Sequence, residues 1–163
     1  MFGVGDKAFY PAHGVGIIEK IESKECNGTK ECFYVLKIMD SGMTVTIPKS
    51  KVQSVGLRHL TPKERIEEVF SVLKRNGDER VVKTHIPWNR RQRDYYAKLK
   101  SGSIFELAQI LKELTYLQSH KTLSFGEKKL LEHVKKLIIK EIACCQNCSE
   151  DVIMSKINSL LSS

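Results

Sequence analysis

The hydrophobic pattern of this chain changes its period near Thr61. From Lys7 to about Val55, apolar and β-branched residues come in short runs, "KAFY", "VGIIEKI", "CFYVLKIM" and "MTVTI", parted by turn residues. Such runs read as strands. In "ECNGTKE", Asn27-Gly28 is a pair that tolerates positive φ in a tight hairpin, and Asp40-Ser41-Gly42 offers a second reversal. The pattern predicts five short strands over roughly fifty residues, which cover a small core only by curling into a compact antiparallel β-barrel.

After Thr61 the period is that of a helix. "TPKERIEEVFSVLKRNG" supplies Thr61 as N-cap, Pro62 at the first helical position, Glu64 for a capping box and Gly77 beyond the end. Ser103 with Glu106 opens "IFELAQILKELTYL", Ser124 with Glu127 opens "FGEKKLLEHVKKLIIKEIACC", and Ser149 precedes "EDVIMSKINSLL". In the third of these segments Leu131, Val134, Ile138, Ile142 and Cys145 form one apolar stripe. The fold class predicted is α+β: a β domain over 1–60 and a helical bundle over 61–163, with a connector helix over 62–76 and a linker over 77–87.

The segment from Arg80 to Trp88 has no helical stripe and contains Pro87, so it reads as a connector into a helix starting near Asn89. That helix places Arg90, Arg93 and Lys98 in one broad sector, with Tyr96 and Leu99 available to pack inward. Trp88, the chain's only tryptophan, stands at its start. Two readings stand for it. It plugs a seam between helices, with the arginines on a solvated face, or it is an apolar blade held at a nucleic-acid backbone.

Charge sharpens the second reading. The net charge is +8; residues 1–60 contribute +2 and residues 61–163 contribute +6. Within 80–100, seven basic residues face only Asp94, which favours an anionic partner. The chain has no apolar run of about eighteen residues and its start lacks the pattern of a signal peptide, so a soluble, cytoplasmic protein is expected. Five cysteines without a secretory signal predict reduced thiols.

Four stretches, "FGVGDKAFYPAHGVGIIEKIE" (2–22), "YVLKI…MTVTIP" (34–48), "WNRRQRDYYAKLKSGS" (88–103) and "LSFGEKKLLEHVKKLI" (123–138), resemble in order and spacing the CarD/CdnL group of bacterial transcription regulators. The resemblance covers essentially the whole chain. It implies a Tudor-like N-terminal domain, similar to the polymerase-interacting module of transcription-repair coupling factors, that binds the RNA polymerase β subunit. It further implies a helical domain that binds promoter DNA at the upstream edge of the melted bubble, largely independently of sequence and through the minor groove. The outcome is altered open-complex stability, without catalysis, cofactor, small-molecule substrate or membrane.

Physically, the first contact looks like strand addition at an exposed edge over Met43 to Pro48, with Met43, Val45 and Ile47 inward and Thr44 and Thr46 outward. Lys24 and Thr46 fall where the family places polymerase-contacting residues, often arginines; Lys24 keeps the charge and Thr46 does not. Thr44, Ile47 and Pro48 complete the expected partner surface. Trp88 matches the family's DNA wedge, Arg90, Arg91 and Arg93 the neighbouring phosphate contacts, and Lys128 and Lys129 a second basic patch.

Other chemistries find less support. Cys144, Cys145 and Cys148, with His133 or Cys26 as an imagined fourth ligand, do not present the paired knuckles of a structural zinc site. No metal site is expected. His13 reads as a turn residue beside Pro11, and His59, His85, His120 and His133 are dispersed, on surfaces or helix ends. With no phosphate loop, nucleophile elbow or paired carboxylates, the chain is not expected to be an enzyme. Nothing in the stripes demands a second copy, so a monomer is expected. The other reading kept is a general adaptor, whose barrel binds a peptide and whose helices contact a protein rather than DNA.

Overall fold

The computed structural model describes residues 2–74 and 88–162, so the expected linker 77–87 lies outside the described residues, as do Gly77 and the connector before Trp88. The chain divides into two compact units, Met1–Leu60 and Thr61–Ser163.

The first unit is an antiparallel sheet of β1 (Lys7–Tyr10), β2 (Gly14–Cys26), β3 (Thr29–Ile38), β4 (Thr44–Pro48) and β5 (Arg58–His59). Their order is β4-β3-β2-β1-β5. The Asn27-Gly28 turn forms as the residues require: φ is 51° and 79°, and Cys26 pairs with Thr29 across it. The Asp40–Gly42 reversal also forms, with Gly42 at φ 72° and Ile38 N–H donating to the Met43 carbonyl.

Two expectations are corrected. The strands are not all short, since β2 and β3 run 13 and 10 residues. The sheet is also open: β4 and β5 are its two edges, and β5, with two residues, gives a closing ladder little to pair with. A helical turn, α1 (Val52–Val55), ends at Gly56 and leads into β5. Phe2, Ala8, Ile18, Tyr34, Leu36, Ile38, Ile47 and Leu57 form the core of this unit. Gly16 is required there, because a Cβ would lie 2.8 Å from Leu36 and 2.9 Å from the Lys37 carbonyl.

The second unit is built from α2 (Ile66–Lys74), α3 (Trp88–Ser101), α4 (Ile104–His120), α5 (Phe125–Gln146) and α6 (Glu150–Ser162). Leu107, Leu111 and Leu114 of α4 meet the predicted stripe of α5, in which Val134, Ile138 and Ile142 are fully buried. Ile66 and Leu73 of α2 and Ile153 and Ile157 of α6 close the same core. Among the described residues, no helix is long and apolar enough to cross a membrane.

Thr61 does not cap a helix. Pro62 is extended, a single 3-10 turn spans Lys63–Arg65, and α2 begins only at Ile66. The Thr61 N–H and hydroxyl instead donate to Glu141 Oε2 at 2.8 and 2.7 Å, and the Cys145 thiol donates to the Thr61 carbonyl at 3.1 Å. Glu141 is fully buried and its carboxylate must be satisfied, a demand that outweighs a local cap. Ser103 stands at the N-cap of α4 but makes no side-chain capping bond. Ser124 and Glu127 form the full capping box of α5, and Ser149 Oγ accepts from Val152 N–H at the start of α6.

Candidate functional site

The N-terminal ends of α3 and α5 meet at Trp88. Its indole is half-buried rather than sealed in the core. One face lies under the Arg91 guanidinium, 5.3 Å from the ring centroid. The Tyr95 ring stands 6.2 Å away at 48°. Gly126 of α5 sits against the indole edge, where a Cβ would come within 3.2 Å of Nε1.

The three arginines of "WNRRQR" separate here. Arg90 and Arg93 are exposed, whereas Arg91, expected beside them as a phosphate contact, is 8% exposed and turned inward. Its Nη2 donates to Glu127 Oε2 at 3.0 Å, an ion pair closed to solvent on both sides. The reason is the helical period, since Arg91, Tyr95 and Leu99, four residues apart, are the buried face of α3. By the same rotation Tyr95, not Tyr96, packs inward, and Tyr96 is exposed.

Glu127 joins both helices. Its Oε1 accepts from the Ser124 N–H at 3.0 Å and from Lys121 Nζ at 3.3 Å, while Oε2 is held by Arg91. Burial opposes ionisation, but the Ser124 backbone bond, Arg91, the Ser124 hydroxyl and Lys121 outweigh it and hold the carboxyl at about 2. Burial, with Glu113 alongside, pushes the neighbouring Tyr95 hydroxyl up to about 12. At neutral pH the site therefore holds a fixed carboxylate and a neutral phenol.

Lys128 and Lys129, the fourth and fifth residues of α5, are exposed, so the structure brings them near the helix end that touches Trp88. Phe125 is 82% exposed immediately before Gly126. Sequence reasoning missed it, although the signal was present: at the first helical position after the Ser124 cap, a side chain has no preceding turn to lie on. The outward face of α3 adds a shallow concavity lined by Gln92, Arg93, Tyr96, Ala97 and Lys100.

In the first unit the register settles the other set. Lys24 pairs with Glu31, Glu22 and Pro48 with Phe33, Thr46 with Val35 and Thr44 with Lys37, which puts Lys24, Thr44, Thr46 and Pro48 on the sheet face away from the core. Lys24 lies 4.0 Å from Glu22 and 5.9 Å from the Phe33 ring centroid. Ile47 is 2% exposed, so only its main chain is available to a partner. Val45 is partly buried, but Met43, expected inward, is exposed in the turn before β4. β4 is an edge strand, Thr44–Pro48, one residue shorter than the expected Met43–Pro48 edge.

Among the described residues no three His, Cys, Asp or Glu side chains come together as metal ligands. Cys144 and Cys145 at the end of α5, and Cys148 just beyond it, are half-buried. His13 lies in the turn after β1, against the Tyr10 ring. His59 stacks on Phe2, His120 on Tyr116 at the end of α4, and His133 is exposed on α5.

Residues 2–61 match the family described as CarD-like/TRCF RID domain, and residues 68–158 match CarD, C-terminal domain. The chain is 34% identical over 155 residues to the Bacillus subtilis (strain 168) protein named "Putative transcription factor YdeB", covering 95% of this chain and 99% of that one. Among solved structures, CdnLNt from Myxococcus xanthus is 51% identical, covering 36% of this chain and 83% of its own, with a TM-score of 0.32. The 72-residue N-terminal domain of Myxococcus xanthus CarD is 34% identical, covering 36% and 79%, with the same TM-score. With its helical unit matched over more than half the chain, its sheet unit matched separately and a bacterial relative aligned almost end to end, the chain belongs to the CarD family of transcription regulators.

Proposed function

We propose that the protein binds the β subunit of RNA polymerase through its N-terminal unit, and promoter DNA at the upstream edge of the bubble through Trp88 and its basic surround. In this way it modulates open-complex lifetime, acting as a monomer in the cytoplasm and without catalysis. The Tudor-like character of the sheet unit belongs to the same reading.

The observation that carries the reading is the half-buried indole at the meeting of α3 and α5, with exposed Phe125 close by and Arg90, Arg93, Lys128 and Lys129 on the same two helix ends. An aromatic of this kind offers a flat face to unpaired bases or a weakened step, worth about 1–3 kcal/mol by stacking. Because about 1.4 kcal/mol is tenfold in an equilibrium or a rate, one ring suffices to slow reannealing of a melted promoter measurably. The exposed cations add affinity that carries no sequence information and falls with salt. Such DNA binding is weak alone; it becomes effective when the sheet unit, docked at an edge such as β4, raises the local concentration at a polymerase.

Charge reversal tests this division. Arg90→Glu with Arg93→Glu is expected to abolish the effect on promoter complexes while full-chain binding to a polymerase β fragment is unchanged. If promoter complexes also respond as before, the helical unit contacts a protein, and the adaptor reading replaces this one.

A further inference from the structure

We propose that Arg91, Glu127 and Gly126 are positioning residues for Trp88: they fix the angle at which the indole meets its ligand, and Arg91 is not itself a phosphate contact. The inference rests on Trp88 as the nucleic-acid contact, and it assigns a role to three residues that need not touch the nucleic acid.

Three walls hold the ring. The Arg91 guanidinium covers one face at 5.3 Å, and that guanidinium is placed by Glu127 at 3.0 Å in a pair of which 9% and 2% of the side chains is exposed. Gly126 leaves space only for the bare ring edge, since a Cβ would stand 3.2 Å from Nε1 and 3.3 Å from Cζ2. Tyr95 stands on a third side. Glu127 is itself fixed by the capping box with Ser124 and by Lys121, so the N-terminal register of α5 dictates where the Arg91 fork lies, and the fork dictates where the indole lies.

A buried ion pair is a weak source of net stability, because an apolar pair of similar volume commonly does as well. What it supplies here is direction, since the planar fork binds its carboxylate in a set geometry and offers its face to an aromatic. The ordering cost of the indole is then met on folding and not on binding. A wedge that must enter at one angle gains most from this.

Trp88 is the only tryptophan, so fluorescence of the whole chain reads this ring alone. In Arg91→Met/Glu127→Gln no buried charge is left alone, and Gln still caps Ser124. With unchanged far-UV circular dichroism, this variant is expected to show a red-shifted emission and stronger acrylamide quenching. Its open complexes are expected to decay about two- to tenfold faster, the cost of ordering one side chain on binding. Arg91→Lys, which keeps charge but loses the planar fork, should not restore the wild-type spectrum. Gly126→Ala perturbs the ring at its Nε1 edge, in a helix that alanine favours, and should shift the emission without loss of helix.

Unchanged quenching in the folded double variant and in Gly126→Ala overturns the proposal. It is equally overturned if Trp88→Ala shortens open-complex lifetime while the double variant, with its altered spectrum, does not. If the spectra change and Trp88→Ala leaves the lifetime unchanged, the ring is positioned as proposed and the nucleic-acid reading is what fails.

Discussion

The two candidate surfaces of this protein are built by different means. On the sheet, Lys24, Thr44, Thr46 and Pro48 reach one face because alternation along a strand sends them there, and the ladder alone determines the set. Around Trp88 the surface depends on a buried pair, Arg91 and Glu127, whose partners lie 36 residues apart on two helices. On the first surface, a change at any one exposed side chain is expected to leave the others in place, since the backbone ladder holds them. On the proposed reading, the second transmits the loss of either buried partner to the Trp88 ring that Arg91 covers, so function and stability are expected to be coupled on one surface and separable on the other.

The largest break in this comparison is at Glu127. Removing one partner of a buried pair leaves the other charge without compensation, so Glu127→Ala should cost about 3–5 kcal/mol in urea unfolding. Glu22→Ala, on the sheet beside Lys20 and Lys24, should cost nothing measurable, because that pair is exposed to water.

Acid makes the same cut without mutation. Glu127 titrates at about 2 when folded, below its ordinary value of 4.5. Its contribution is therefore complete above roughly pH 5 and is lost as pH falls towards 2, a loss of about 3 kcal/mol by linkage. Unfolding measured across that range should lose this slope in Glu127→Gln.

The arginines sharpen the contrast on a smaller scale. Arg90→Ala and Arg93→Ala should each lower the slope of log affinity against log salt for promoter complexes by about one, with little change in stability. Arg91→Ala should do the reverse, lowering stability with the salt slope nearly intact. On the sheet, Thr46→Arg adds a cation to the exposed face that already carries Lys24, and should raise affinity for a polymerase β fragment by no more than about fivefold, in keeping with an exposed charge pair.

Much of this architecture could be read from local sequence. Asn27-Gly28 fixed its hairpin, and Ser124 with Glu127 its helix start, because each is settled within four residues. The break at Thr61 was visible as a change of period, although Thr61 itself was misread: its hydroxyl serves Glu141, 80 residues away, and no window of local chain contains that competition. The closed barrel failed for a related reason, since closure depends on whether β4 meets β5 and not on the strands one by one.

At the candidate site, it is the place of Trp88 among basic residues that singles it out in the sequence. The fate of Arg91 had a local trace, its spacing of four to Tyr95 and eight to Leu99, which basic character concealed. Its carboxylate partner had none. Phe125, 82% exposed, runs against the rule that apolar residues are buried, a rule that runs in one direction only.

The central claim is that the Trp88 ring acts outside its own core, on melted promoter DNA. The direct measurement is the half-life of competitor-challenged open complexes formed with wild-type protein and with Trp88→Ala, at matched occupancy of polymerase. A half-life shorter by about tenfold, with binding to the β fragment unchanged, is the result predicted from one lost stacking contact. Equal half-lives at equal occupancy would contradict it.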